Sequence, residues 1–115
     1  MKVIKTGEIE AQESTSKIFR GRVSIQRIVS EDNGDILVSV INFSRGAGNV
    51  FHTHTSNQIL YVLGGKGTVA TEKESVTVMP GTWIIIPAGE RHCHGATKGS
   101  VFSHVSIKTS GETSF

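Results

Sequence analysis

Residues 52–58 of this 115-residue chain read His-Thr-His-Thr-Ser-Asn-Gln. In a β-strand, residues i and i+2 project from the same face, so His52 and His54 point together into one space. Gln58 can come from the next stretch of extended chain, and His92 can be brought alongside by a distant strand. Three imidazoles and an amide oxygen that converge on one point form a site for a divalent metal with room for water or substrate. We therefore predict His52, His54, Gln58 and His92 as metal ligands.

The rest of the sequence predicts an all-β fold. Thirteen glycines and a supply of Val, Ile and Thr favour short strands and tight turns over helices. The predicted strands cover residues 23–28, 36–43, 50–54, 58–63, 68–71, 75–79, 83–86 and 100–107, and residues 32–35 (Asp-Asn-Gly-Asp) form a hairpin turn. Phe51 and Trp83 are predicted to anchor the core. Many short antiparallel strands with little or no helix favour a single jelly-roll β-barrel, which hides strand edges and shelters metal ligands.

The chain is predicted to form one domain, because 115 residues bury a modest core without disulfides. Residues 1–20 have no clean period and read as an irregular arm with one short strand. Residues 21–108 form the barrel. Residues 109–115 are polar, and we expect a loose tail there.

Composition narrows the range of partners. The net charge of +2 is small and the basic residues are scattered, which argues against a nucleic-acid partner. No apolar run approaches the roughly 20 residues that span a bilayer, so no membrane partner is expected. The start of the chain lacks the pattern of a signal peptide, and one cysteine permits no intrachain disulfide. These features favour a cytoplasmic protein.

Two spaced motifs in the chain resemble those of the cupins, small jelly-roll barrels that carry a metal. The first cupin motif is matched by Gly46, His52, His54 and Gly65, with Gln58 where Glu is usual. The second is matched by Gly81, Pro87, Gly89 and His92, with Ala96 where Asn is usual. The resemblance implies the cupin fold and its metal site.

A narrower resemblance links the chain to small bacterial cupins that include manganese-dependent hydroxynitrile lyases. These proteins use Gln as the fourth ligand and carry a second histidine two residues after the last ligand, as His94 does here. The resemblance implies catalytic roles for His94 and His104, and a pocket lined by Ser39 and Ile41. It favours manganese, although the donor set also suits Fe, Ni, Co or Zn. It further implies a homodimer, for which residues 1–20 could supply exchanged strands.

The ligand types themselves indicate Lewis-acid chemistry. Three neutral imidazoles and a neutral amide leave the full divalent charge uncompensated, so a bound metal should polarise a carbonyl, nitrile or water strongly. If His92 points inward, strand alternation also turns His94 inward, where it can serve as general acid or base, and leaves Cys93 facing away as a packing residue. His104 is a second such group, unless Val101, Ser103, Val105 and Ile107 form the inward row of the last strand.

The favoured function is a metal-dependent lyase that acts on a small polar molecule, with cyanohydrin cleavage as the specific hypothesis. A dioxygenase or isomerase is the second hypothesis, and a non-catalytic metal-containing binding module for a small ligand is the third. Because His must be neutral to bind a metal, we also expect metal affinity to fall below about pH 6.

Overall fold

The structure is a computed structural model that describes residues 1–30 and 35–115, so the predicted turn at residues 32–35 lies largely outside the described residues. Within these described residues it contains a short 3-10 helix at Thr6–Glu8 and thirteen strands. The strands are β1 (Gln12–Glu13), β2 (Phe19–Arg20), β3 (Val23–Val29), β4 (Ile36–Phe43), β5 (Gly48–Asn49), β6 (Thr53–His54), β7 (Gln58–Gly65), β8 (Gly67–Thr71), β9 (Ser75–Val78), β10 (Trp83–Ile86), β11 (His92–Ala96), β12 (Phe102–Thr109) and β13 (Thr113–Ser114).

The strands form two main antiparallel sheets and one small one. The larger sheet has the order β1-β3-β4-β12-β7-β10, and the second has the order β2-β5-β11-β8-β9. A two-stranded sheet joins β13 to β6. The prediction of an all-β antiparallel fold is confirmed. Among the described residues, no helix is long and apolar enough to cross a membrane.

Most predicted strands appear close to their expected positions, and β4 and β10 match them residue for residue. The predicted strand at residues 50–54 is wrong in detail. Two short strands, β5 and β6, replace it, and His52 lies between them in an isolated antiparallel bridge with His92. The backbone N–H of each histidine donates to the other's carbonyl, at 2.9 and 3.0 Å. This bridge joins the two segments that carry the predicted ligands.

The space between the two main sheets divides into an apolar part and a histidine-rich part. Buried apolar side chains fill the first part, with Phe43 stacked on Phe102 at a centroid distance of 5.8 Å. Eight buried polar side chains occupy the second part: Asn49, His52, His54, Gln58, His92, His94, His104 and Ser106. The apolar part holds the sheets together and leaves the polar residues sheltered from bulk water.

Trp83 does not anchor the core, and that prediction is wrong. Its side chain is 61% exposed, because alternation along β10 turns it to the outer face, where it packs against Tyr61 at 4.3 Å. Phe51 is half-buried, and the guanidinium of Arg91 lies 4.9 Å from the centre of its ring.

The two ends of the chain both add short strands to the barrel. In the first 20 residues, β1 pairs with β3 and β2 pairs with β5. At the other end, Thr113 pairs with His54 and Ser114 with Thr53. Two residues of the tail that we expected to be loose thus pair with a strand of the barrel. The tail is polar as expected, but its backbone extends the short strand that carries His54.

Candidate metal centre

Four of the predicted site residues meet at one place between the sheets. His54 ends β6, Gln58 begins β7, His92 begins β11, and His52 lies in the bridge opposite His92. Each of the three histidines offers a ring nitrogen, and these nitrogens all lie within 4.8 Å of one another. The three histidines and Gln58 are buried. The structure thus brings together all four residues that spacing predicted as ligands.

The backbone orients two of these imidazoles. His52 Nδ1 donates to the carbonyl of Val50 at 2.7 Å, and His92 Nδ1 donates to the carbonyl of Glu90 at 2.8 Å. A carbonyl can only accept, so each neutral ring carries its proton on Nδ1 and its lone pair on Nε2. Both rings therefore present the nitrogen that a metal binds.

Gln58 is oriented by a serine that sequence reasoning did not single out. Its Nε2 donates to Ser106 Oγ at 2.9 Å, which turns Oε1 towards the imidazoles. Oε1 lies 3.2 Å from Nε2 of His92. With His92 protonated on Nδ1, both of these atoms carry lone pairs and repel each other unless a cation lies between them.

This separation is itself a test of whether the residues fit a metal. Two ligands about 2.1 Å from one ion are about 3.0 to 3.4 Å apart for angles between 90° and 109°. The observed 3.2 Å between His92 Nε2 and Gln58 Oε1 falls in that interval. The donor set therefore fits a divalent metal.

His54 gives a second, independent sign of fit. Its Nε2 is the one buried side-chain nitrogen or oxygen of the described residues that has no hydrogen-bond partner. Burying a polar atom without a partner costs about 1 to 3 kcal/mol. A cation among the three Nε2 atoms would remove this cost. The other ring nitrogen of His54 lies 2.8 Å from Thr113 Oγ1, on the C-terminal strand.

Burial keeps these imidazoles neutral. Desolvation is the main cause that lowers the pKa of His52 to about 4 and that of His54 to about 3, and the charge of Lys108 lowers the latter further. Burial also lowers the pKa of His92, against the opposing effect of the Glu90 carbonyl. At neutral pH all three rings are in the form that binds a metal.

A second histidine pair lies beside this cluster. His94 and His104 are both buried, and Nε2 of His104 lies 3.0 Å from Nδ1 of His94. His104 Nδ1 donates to the Val105 carbonyl at 3.2 Å, so His104 Nε2 accepts and His94 Nδ1 donates. Burial is the main cause that lowers the pKa of His104 to about 4 and that of His94 well below its usual value.

Asn49 completes the chain of hydrogen bonds. Its Oδ1 accepts from the backbone N–H of His94 at 2.8 Å, which leaves its Nδ2 3.2 Å from Nε2 of His94. A continuous series of hydrogen bonds therefore runs from the Asn49 amide through the imidazoles of His94 and His104 to the Val105 carbonyl. Sequence reasoning missed Asn49, because no motif or spacing marked it.

Both catalytic candidates face the same cavity. His94 and His104 line a space of about 380 Å³ together with His52, His54 and Gln58. The predicted alternative for the last strand, with Val101, Ser103, Val105 and Ile107 inward, is wrong, since His104 is fully buried and Ser106 shares its face. Ser39 and Ile41 line the cavity as expected. Cys93 is half-buried, and burial is the main cause that raises the pKa of its thiol.

Comparison with known proteins agrees with this geometry. The model of the family described as the cupin domain matches residues 39–107 of the chain. The chain belongs to the cupin family. The matched segment includes all four predicted ligands as well as His94 and His104.

Individual cupins extend the likeness along the chain. The (R)-mandelonitrile lyase of Granulicella tundricola is 26% identical over 110 residues, which is 94% of this chain and 84% of the lyase. The crystal structure of a cupin-like protein from Thermotoga maritima is 26% identical, with a TM-score of 0.87 over 100% of this chain and 88% of that one. The polyketide cyclase RemF of Streptomyces resistomycificus shares the fold, with 18% identity and a TM-score of 0.85 over 95% of this chain and 79% of that one.

Proposed function

We propose that this cupin binds one divalent transition metal through His52, His54, Gln58 and His92, and that it cleaves cyanohydrins as a metal-dependent lyase. The observation that carries the proposal is the neutral donor set, in which buried lone pairs of three Nε2 atoms and one amide oxygen face one another. The likeness to a mandelonitrile lyase over nearly the whole chain supports the choice of reaction. Manganese is the metal that we favour.

The metal, when bound, would act as a Lewis acid on the substrate oxygen, with no carboxylate among its ligands to weaken its charge. The protein's part is to hold the ligands in place. Backbone carbonyls fix His52 and His92, and Ser106 fixes the Gln58 amide. Removal of a group that orients a metal ligand in this way commonly lowers metal affinity or activity by about 10- to 100-fold.

His94 and His104 would move the proton. In the order of hydrogen bonds described above, His94 Nε2 carries no proton and its lone pair accepts from the Asn49 amide 3.2 Å away, so a substrate hydroxyl that displaces this contact can give its proton to His94 Nε2. The proton on His94 Nδ1 can then pass to His104 Nε2, which spreads the new charge over two rings. As the carbon–carbon bond breaks, its electron pair leaves with cyanide. Return of the proton from His94 to cyanide releases hydrogen cyanide and the aldehyde.

The cavity suits a small substrate with an apolar body. Its volume of about 380 Å³ lies at the lower end of the range typical of ligand pockets. The histidines, Gln58, Asn49 and Ser106 line one part, and apolar side chains that include Phe19, Ile25 and Leu37 line another. An aromatic or branched aliphatic cyanohydrin could place its hydroxyl at the polar end and its side chain against the apolar wall.

The test is cleavage of aromatic and aliphatic cyanohydrins by the protein loaded with Mn²⁺, Fe²⁺, Co²⁺, Ni²⁺ or Zn²⁺ in turn, with the chelated protein as control. We expect turnover that depends on the metal and consumes no oxygen. A metal-loaded protein that turns over no cyanohydrin would remove the lyase proposal. Oxygen uptake with phenolic or dicarbonyl substrates would favour the dioxygenase instead.

We also propose a homodimer that forms through the outer face of the larger sheet. Strands β7 and β10 present an apolar surface there, with Ile59, Tyr61, Trp83 and Ile85 facing outward, and Trp83 and Ile85 are 61% and 74% exposed. Exposed apolar surface of this kind on an edge strand invites association. Light scattering after size-exclusion chromatography should give twice the chain mass, and Ile85→Arg should give the monomer. A monomeric wild-type protein at micromolar concentration would exclude the dimer.

A further inference from the structure

The three imidazoles of the proposed metal centre differ in what holds their second ring nitrogen. For His52 and His92 the partner is a backbone carbonyl two residues earlier in the same segment. For His54 the partner is Thr113 Oγ1, 59 residues later and on the C-terminal strand. A hydroxyl can rotate, and its hydrogen bond to His54 breaks when the tail moves away. The ring of His54 is therefore held less firmly than the rings of the other two histidines.

The tail is seated closely against the segment that carries His54. Thr55 N–H donates to the carbonyl of Glu112 at 3.0 Å, and Glu112 N–H donates to Thr55 Oγ1 at 2.9 Å. A Cβ at position 111 would meet Thr55 Oγ1, so any other residue there would have to displace the hydroxyl that accepts from the Glu112 N–H. Thr113 and Phe115 also line the cavity that holds the histidines. These contacts join the tail to the site.

The tail buries little of its own surface against the rest of the chain. Residues 110–115 are all exposed, although the Thr113 hydroxyl reaches the buried His54 ring. Hydrogen bonds of this kind contribute about 1 kcal/mol each, and chain ends with few buried contacts open locally at small cost. The docked position of the tail is thus weakly held, and an additional contact can shift its population.

We infer that Thr113 is a positioning residue for the metal centre, so that docking of residues 111–115 and binding of the metal reinforce each other. This inference rests on the metal site proposed above. When the tail is docked, His54 Nδ1 donates to Thr113 Oγ1 and His54 Nε2 faces the other ligands. Linkage between two binding events is reciprocal. If the docked tail strengthens metal binding at His54 Nε2 by some factor, the bound metal must therefore favour docking of the tail by the same factor.

The first experiment compares Mn²⁺ affinity, by titration calorimetry, of the wild-type chain with Thr113→Val, Thr113→Ser and a chain ending at Ser110. Valine keeps the shape of threonine and removes the hydroxyl, and we expect affinity to fall by about 10- to 100-fold. The chain ending at Ser110 should lose at least as much. Serine keeps the hydroxyl and should remain within about threefold of wild type. Ser114→Ala is the matched control, because strand alternation turns Ser114 away from His54.

The second experiment measures hydrogen exchange of the C-terminal peptide in the wild-type chain, with and without Mn²⁺. We expect Mn²⁺ to slow exchange at Glu112 and Thr113, and to leave the same peptide unchanged in Thr113→Val. Wild-type affinity in both Thr113→Val and the shortened chain, with tail exchange indifferent to Mn²⁺, would overturn the inference and leave the metal centre intact. A wild-type chain that binds none of the metals would instead overturn the metal centre and the inference with it.

Discussion

The proposed ligand cluster and the His94–His104 pair line the same cavity, yet they use their ring nitrogens in opposite ways. In the cluster, His54 Nε2 is buried without a partner, and Nε2 of His92 faces another lone pair. In the pair, ring nitrogens of the two histidines meet at 3.0 Å, and a backbone carbonyl and an amide complete the series. The cluster has lone pairs to give to a cation, whereas the pair has a path for a proton. Residue type alone does not separate these two roles, but hydrogen bonding does.

The largest difference between the two groups should be in metal content. His92→Ala removes an Nε2 from the cluster, and we expect the metal to fall from about one ion per chain to a trace, by mass spectrometry. His94→Ala removes a ring of similar burial from the pair and should keep the metal. Circular dichroism would verify that both variants fold. Equal metal loss in both variants would show that the two groups are not distinct.

Catalysis, unlike metal content, should depend on the His94–His104 pair as well as on the cluster. With its metal retained, His94→Ala should lower kcat for cyanohydrin cleavage by about 10²- to 10⁴-fold, the usual contribution of a general acid or base. The dissociation constant for Mn²⁺ should change by less than about threefold, because the ring makes no bond to the metal in our proposal. Full activity in His94→Ala would assign the proton transfer to another group.

Acid should destabilise the metal-free protein, since the histidines of the ligand cluster and of the His94–His104 pair are buried and neutral. The folded pKa values of His52 and His104 are about 4 and that of His54 is about 3, whereas the unfolded chain takes up protons near 6.5. Between these values the unfolded state binds more protons, so stability present above about pH 6.5 is lost as the pH falls. Each histidine contributes up to about 1.4 kcal/mol per pH unit. Urea unfolding at pH 7.5 and 5.5 measures the loss, and equal free energies would contradict it.

The same pKa values revise the expectation that metal affinity falls below about pH 6. Protons compete with the metal for His52 and His54 only near pH 4 and below in the folded chain. Affinity that persists down to pH 5 is now the expected result, provided that the protein stays folded. Calorimetric titration with Mn²⁺ from pH 8 to pH 5 tests this, and a steep loss around pH 6.5 would mean that the rings are solvated.

The smallest effect should come from adding a charge to the cluster. Gln58→Glu would offset part of the metal charge, so we expect about tenfold tighter Mn²⁺ binding and slower cyanohydrin cleavage. Gln58→Leu, which keeps the size and removes the oxygen, should bind Mn²⁺ more weakly than wild type. If all three proteins bind Mn²⁺ equally, Gln58 is not a ligand.

The ligand cluster could be predicted from the sequence because strand alternation and motif spacing indicate which of its side chains share a face. Alternation placed His52 beside His54 and turned His94 to the face of His92, and motif spacing supplied Gln58. Ser106 could have been found by the same rule, since it shares the face of His104. Asn49 and Thr113 could not, because their roles depend on which strands become neighbours. Trp83 was misplaced for a related reason: large apolar residues usually indicate a core, but alternation on an edge strand turned this one outward.

The most direct test of the account is a crystal structure of the Mn²⁺-loaded protein with an anomalous difference map at the manganese edge. We predict a single strong peak bounded by Nε2 of His52, His54 and His92 and by Oε1 of Gln58, with His94 and His104 still hydrogen-bonded to each other. A peak between His94 and His104, or none at the cluster at saturating Mn²⁺, would contradict it.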